Sequence, residues 1–106
     1  MLQGIVVRGT TPEHEFDVPY SLEMIKDVRV TYAQGKKTVF TKKLYNCRIE
    51  NGKVYIALTQ EETLMFVPNK PLEIELKILL FNNKVVVSEE PILLRVVDTL
   101  NEEVMG

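Results

Sequence analysis

The pair Asn51-Gly52 separates two segments of alternating apolar and polar residues, and it restricts the fold more than any other feature of the chain. Asn-Gly favours a two-residue type I′ turn, because both central residues of that turn need positive φ. Such a turn fixes the register of a hairpin and puts three pairs on one face: Ile49 with Val54, Cys47 with Ile56, and Tyr45 with Leu58. We therefore expect one buried face, one hydrated face and an antiparallel β protein.

The same alternation predicts further hairpins along the chain. A turn at Gln34-Gly35 would place Val39 opposite Val30. A tight turn at Asn82-Asn83 would place Val85 opposite Leu80 and Val86 opposite Leu79, because asparagine tolerates the left-handed conformation. The inward residues then change from odd numbers at 85 and 87 to even numbers at 92, 94 and 96. This change of phase predicts a bulge between residues 88 and 91.

Two short helical turns are predicted between strands, over residues 21–25 and 61–65. Thr59 and Glu62 have the spacing of a capping box at the start of the second turn. Short strands without a long helix indicate an all-β fold, an immunoglobulin-like antiparallel β-sandwich of seven or eight strands with one or two single-turn helices. A small closed barrel is the alternative. We expect one domain over residues 1–97 and a C-terminal tail over residues 98–106.

Composition narrows the function classes. The chain has 106 residues, a net charge of −2 and a single cysteine, with no basic stripe and no apolar stretch of membrane-spanning length. We therefore expect a soluble domain that binds neither nucleic acid nor membranes. The N-terminus leads directly into a strand, so no signal peptide is predicted and synthesis in the cytoplasm is expected.

No constellation of catalytic or metal-ligating residues is found in the sequence. His14 is the only histidine, and the alternation puts Glu13 and Glu15 on the opposite face from it. Cys47 lies in mid-strand among apolar residues, as expected of a small core side chain. A capping box explains Glu62 more simply than a calcium site would. The sequence predicts no catalytic residue, no cofactor, no metal and no enzymatic activity.

One group of residues does not fit the alternation. On the strand that begins at Leu72, the outward positions are polar until Lys77, and then become apolar. Either a protein partner or the chain's own tail must cover such residues, because exposed apolar patches often mark contact surfaces. The predicted protein interface consists of Leu79, Phe81, Val86, Leu93 and Val97.

Three segments carry a family resemblance: 8–12, 27–34 and 51–63, the last ending in Leu-Thr-Gln-Glu-Glu-Thr. Over about residues 5–97 the chain resembles small immunoglobulin-like proteins of prophages in Gram-positive bacteria, and is similar to the N-terminal domain of siphophage baseplate upper proteins. The resemblance implies a phage structural or accessory protein of the tail, baseplate or capsid. Such a protein would be located in the cytoplasm of the bacterial host or in the virion. It would act through protein partners or through self-association into a homo-oligomer.

A carbohydrate- or ligand-binding β-sandwich module is the alternative function. Sugar binding generally uses aromatic platforms with polar neighbours. The chain has no tryptophan, and its four tyrosines are scattered along the sequence. Protein–protein assembly is therefore the first prediction.

Overall fold

The computed structural model describes residues 4–88 and 90–106. These residues form nine strands: β1 (Gly4–Val7), β2 (Glu13–Asp17), β3 (Ile25–Gln34), β4 (Lys37–Lys43), β5 (Cys47–Glu50), β6 (Lys53–Ala57), β7 (Leu72–Leu80), β8 (Val85–Val87) and β9 (Ile92–Val97). They also form one short α-helix, α1 (Gln60–Leu64), and two 3₁₀ turns, Leu22–Met24 and Leu44–Asn46.

The strands lie in two separate sheets. The large sheet has the order β1-β9-β7-β3-β4, and β8 also pairs with β7. The small sheet has the order β2-β6-β5. Apolar residues of both sheets form one buried core, which includes Val30, Ile74 and Val96 of the large sheet and Phe16, Val54 and Ile56 of the small sheet. The prediction of an all-β sandwich is confirmed.

The chain passes between the sheets at its short helical segments. The 3₁₀ turn Leu22–Met24 joins β2 of the small sheet to β3 of the large sheet, and α1 lies between β6 and β7. Both were predicted as short helical turns between strands, over residues 21–25 and 61–65. A third segment, the 3₁₀ turn Leu44–Asn46, joins β4 to β5 and was not predicted.

Two of the three pairs predicted for the Asn51-Gly52 hairpin are confirmed, Ile49 with Val54 and Cys47 with Ile56. Both turn residues have positive φ. The predicted pairing of Tyr45 with Leu58 is wrong, because Tyr45 lies in the 3₁₀ turn and is 81% exposed. The side chain of Asn46 accepts a hydrogen bond from the Lys43 amide at 3.0 Å, and this contact keeps the segment out of the strand.

The β7–β8 hairpin differs from the prediction by one residue. Its loop has three residues, 81–83, since the Leu80 amide donates to the Lys84 carbonyl at 2.9 Å. Asn83 takes the left-handed conformation, with φ 68°, as is usual in three-residue loops. Val85 therefore pairs with Leu79, and Val86 pairs with Ile78. A shift of one residue exchanges the two faces, so Val86 faces the core and Val85 faces outward.

This register also removes the predicted change of phase. Val86 packs against the core, as do the even-numbered Ile92 and Leu94 of β9. The inward phase is thus even on both strands. The Ser88 amide continues the β7–β8 pairing by donating to the Leu76 carbonyl at 2.9 Å, and the register along β7 then shifts before the pairing of Ile92 with Ile74.

Two further pairings differ from the predictions. Val30 pairs with Lys42 rather than with Val39, because the β3–β4 ladder shifts register between Tyr32 and Ala33. One strand pair is parallel in a sandwich predicted to be antiparallel: β1 runs in the same direction as β9, with Gly4 beside Leu94. This pairing joins strands at the two ends of the domain, and no local turn specifies it.

Candidate protein-interaction surface

An apolar surface lies at one end of the large sheet, where the β7–β8 hairpin meets the 3₁₀ turn Leu22–Met24. Phe81 is 62% exposed, Val85 58% and Met24 47%, and Leu79 beside them is half-buried. We call Met24, Leu79, Phe81 and Val85 the hairpin patch. Exposed large apolar side chains at neighbouring positions are the usual mark of a contact surface.

Backbone contacts hold the hairpin patch in place. The Phe81 amide donates to the Met24 carbonyl at 3.0 Å, which ties the hairpin tip to the 3₁₀ turn. The β3–β7 register shifts between Ile25 and Asp27, so the strands depart from regular pairing beside the hairpin patch. Two shallow grooves result. One, of about 200 Å³, is lined by Asp27, Leu79 and Val85 among others. The other, of about 280 Å³, is lined by Met24 and Phe81 among others.

An ion pair borders the first groove. Arg29 Nη1 lies 2.7 Å from Asp27 Oδ1. Burial acts to raise the pKa of Asp27, but the hydrogen bonds from Arg29 and from the Val28 amide outweigh it and lower this pKa. Asp27 is therefore ionised and already neutralised by Arg29. The groove is lined by apolar side chains, and the two charges beside it neutralise each other. It can therefore accept an apolar side chain of a partner.

The structure brings together only some of the predicted interface residues. Leu79 and Phe81 lie in the hairpin patch. Val86, predicted to face outward, packs against the core instead. Leu93 pairs with Glu73, and Val97 pairs with Val7, and both are half-buried elsewhere on the large sheet. The assignment of all five residues to an interface stays a prediction.

Sequence reasoning missed Val85 and Met24 as members of this surface. The run of three valines at 85–87 was a usable signal, but its phase depends on the length of the preceding loop. Met24 gave no signal, because only the tertiary contact with Phe81 brings it to the hairpin. Proximity of this kind cannot be read from periodicity.

The C-terminal tail does not cover the hairpin patch. Its contacts lie at the opposite end of the large sheet, where Arg8 meets Asp98 at 2.6 Å and Glu102 at 2.7 Å. The side chain of Gln60 bonds the backbone of Met105 at 2.8 Å in both directions. Residues 98–106 form neither a helix nor a strand.

A second group of polar side chains lies between the sheets. His14 Nδ1 is 2.9 Å from the hydroxyl of Tyr32, which is fully buried. Cys47 Sγ donates to the Lys43 carbonyl at 3.3 Å. Burial raises the pKa of the Cys47 thiol and lowers that of His14. Both groups are therefore neutral near pH 7. Cys47 packs against the core, as predicted, and His14 is half-buried.

The predicted capping box is present at α1. The Glu62 amide donates to Thr59 Oγ1 at 3.1 Å, and the Thr59 amide donates to Glu62 Oε1 at 2.9 Å. Glu62 also pairs with Lys42. Both carboxylate oxygens of Glu62 are thus engaged by protein groups, and the described residues contain no group of three or more histidine, cysteine or acidic side chains that could hold a metal ion.

The buried histidine predicts a dependence of stability on pH. Because burial lowers the pKa of His14, the unfolded chain binds a proton more readily than the folded chain. The free energy of unfolding should therefore fall as the pH drops through the ordinary histidine range, around 6.5. Urea unfolding at several pH values should show this loss, and His14→Gln should make the dependence shallower. An equal slope in both proteins over that range would contradict the assignment to His14.

A scan against protein-family models finds no match, and searches of curated proteins and of solved structures find none either. Among residues 4–88 and 90–106, no helix has the length and apolar character needed to cross a membrane.

Proposed function

We propose that this chain is a non-enzymatic, phage-related structural or accessory protein that acts through protein–protein assembly in a tail, baseplate or capsid. The observation that carries the proposal is the hairpin patch, in which Phe81 is 62% exposed and lines one of the two grooves together with Met24. The sequence resemblance to prophage immunoglobulin-like proteins supplies the biological setting, the bacterial cytoplasm or the virion.

We also propose that the sandwich is of immunoglobulin-like type. Two features support this. A sheet of order β2-β6-β5 packs against one that contains β9-β7-β3-β4, and β1 joins the large sheet in parallel beside the last strand. Sandwiches of this type commonly use sheet faces, edges and loops at the ends of the strands for recognition.

Assembly would be driven by burial of the hairpin patch. Fully burying a side chain such as phenylalanine, methionine or valine contributes about 1.5–3 kcal/mol. Phe81 at the tip of the hairpin can enter a pocket of a partner, as aromatic anchors do at the centre of many interfaces. The Asp27–Arg29 pair would remain at the rim, where it is not stripped of water.

A single substitution tests this proposal. Phe81→Asp should abolish co-purification of the protein with the structural proteins encoded by neighbouring genes, since it puts a charge where an apolar anchor is needed. Tyr45→Asp is the matched control, because Tyr45 is 81% exposed and lies in the 3₁₀ turn between β4 and β5. Co-expression followed by affinity purification gives the readout. If both variants bind partners as well as the natural protein does, the hairpin patch is not the assembly surface.

A further inference from the structure

Within the part of the chain that the structure describes, the outer edge of β8 is an open sheet edge. β8 pairs with β7, and no other strand among the described residues pairs with it. Lys84 and Ser88 bond to β7 through their backbones. Since bonding alternates along an antiparallel pair, Val86 also bonds to β7. The backbone N–H and C=O groups of Val85 and Val87 then point away from β7, toward the open edge.

Most other edge strands of the two sheets carry charged residues or an irregular register, which hinder pairing with another strand. The β4 edge carries the exposed Lys37 and Lys43 and an irregular register. The small sheet has acidic residues on β2 and Arg48 and Glu50 on β5. These are the usual devices against unwanted strand pairing. β8 is instead an uncharged run of three valines, of which Val85 is 58% and Val87 39% exposed.

β1 is also an uncharged edge strand, but the chain's own tail crosses its end. Arg8 directly follows β1 and is engaged by Asp98 and Glu102. β8 lies between two exposed residues of opposite charge, Lys84 on one side and Glu90 on the other. An antiparallel partner of the same sequence would bring each of these charges toward its opposite, whereas a parallel copy would bring like charges together.

We propose that β8 pairs with β8 of a second copy of this chain, antiparallel and around a two-fold axis at Val86. This inference rests on the proposed assembly function and names one partner. Val85 of each protomer faces Val87 of the other, and their outward backbone groups form the hydrogen-bonded pairs. Val86 faces Val86 at the axis. The large sheets of two protomers then form one continuous sheet.

Side chains support the same register. Val85 and Val87 lie on the outer face, beside Leu79, so the paired strands extend the apolar surface across the axis. Lys84 of each copy approaches the acidic end of the partner's β8, where Glu90 follows. Three residues per strand make a small interface, so we expect a weak dimer that dissociates in the micromolar range or above.

Sedimentation velocity over protein concentrations from about 1 μM to about 1 mM tests the pairing. The natural protein should pass from monomer to dimer. Val87→Pro should weaken the dimer at least about tenfold, because it removes an outward N–H while leaving the bonds to β7 intact. Val85→Lys should do the same, because its charge would face the apolar Val87 of the second copy. Val67→Lys, at an exposed valine in a loop, is the control and should dimerise normally. Circular dichroism verifies that each variant is folded.

The variants distinguish a failure of edge pairing from a failure of the proposed assembly function. Dimers lost in Val87→Pro and Val85→Lys, but kept in Phe81→Asp, support edge pairing. Dimers lost only in Phe81→Asp overturn edge pairing and still support assembly through the hairpin patch. A natural protein that stays monomeric at the highest concentration overturns edge pairing, whatever the result of the co-purification test.

A disulfide tests the two-fold axis directly. In a Cys47→Ser background, Val86→Cys would place two thiols on facing residues of a non-hydrogen-bonded pair, where Cα atoms lie about 4.5 Å apart. Mild oxidation should give a covalent dimer. Thr41→Cys, on the β4 edge, is the control. Equal crosslinking of the two variants would overturn the proposed register.

Discussion

Phe66→Ala should lower the free energy of unfolding by about 3–5 kcal/mol, the range for a large buried aromatic side chain. Phe66 is 1% exposed, and its ring centroid lies 5.6 Å from that of Phe40 and 6.1 Å from that of Tyr32. Removal of the ring would leave a cavity between α1 and the large sheet that the rigid strands cannot close. Urea unfolding monitored by circular dichroism measures the loss.

The same chemical change at Phe81 provides the control for this prediction. Phe81 is 62% exposed, so Phe81→Ala should change stability by no more than about 0.5 kcal/mol when measured at low protein concentration. A similar cost at the two positions would show that Phe66 does not belong to the packed core. It would also place Phe81 against the fold rather than in a surface patch.

Gln34→Met should cost about 2 kcal/mol, although it leaves the shape of the side chain nearly unchanged. Gln34 is 4% exposed, and its amide nitrogen donates to the carbonyls of Val67 at 2.9 Å and Lys70 at 3.0 Å. Its carbonyl oxygen accepts from the Val67 amide at 2.8 Å. A methionine would leave these backbone groups without their partner and release the loop that precedes β7.

Gln60→Met is the matched comparison, because Gln60 also bonds a backbone donor and a backbone acceptor, both at Met105. Those groups lie at the surface, where water replaces the lost contacts, so the cost should stay below about 0.5 kcal/mol. The two unfolding midpoints can be compared in one experiment. If Gln34→Met proves as mild as Gln60→Met, the loop is held by other contacts.

Local turn chemistry explains what could be predicted from the sequence. Asn51-Gly52 determines its own hairpin because both residues accept positive φ and the flanking alternation leaves one register that buries the apolar face. The pair Asn82-Asn83, in contrast, does not determine the length of its hairpin loop. A two-residue and a three-residue loop can both use asparagine in the left-handed conformation, and the structure has the longer one.

Contacts between distant segments explain what could not be predicted. Gln34 has the sequence context of a turn residue, and its role as a buried anchor for Val67 depends on a loop more than thirty residues away. Asn46 draws Tyr45 out of the strand through a hydrogen bond that the alternation does not reveal. In the candidate site, the outward phase of Leu79 and Phe81 could be predicted from the sequence, whereas Val85 and Met24 join them only through loop length and tertiary contact.

The parallel pairing of β1 with β9 has a consequence for synthesis on the ribosome. Gly4 pairs with Leu94 and Val7 with Val97, so the first strand finds its neighbour only when nearly the whole domain has been made. Loop closure over such a separation is slow and gains nothing until the intervening strands have folded. Ile5, Val6 and Val7 therefore remain unpaired during translation until residues 94–97 have been synthesised. During that interval a chaperone, or another nascent chain, has access to them.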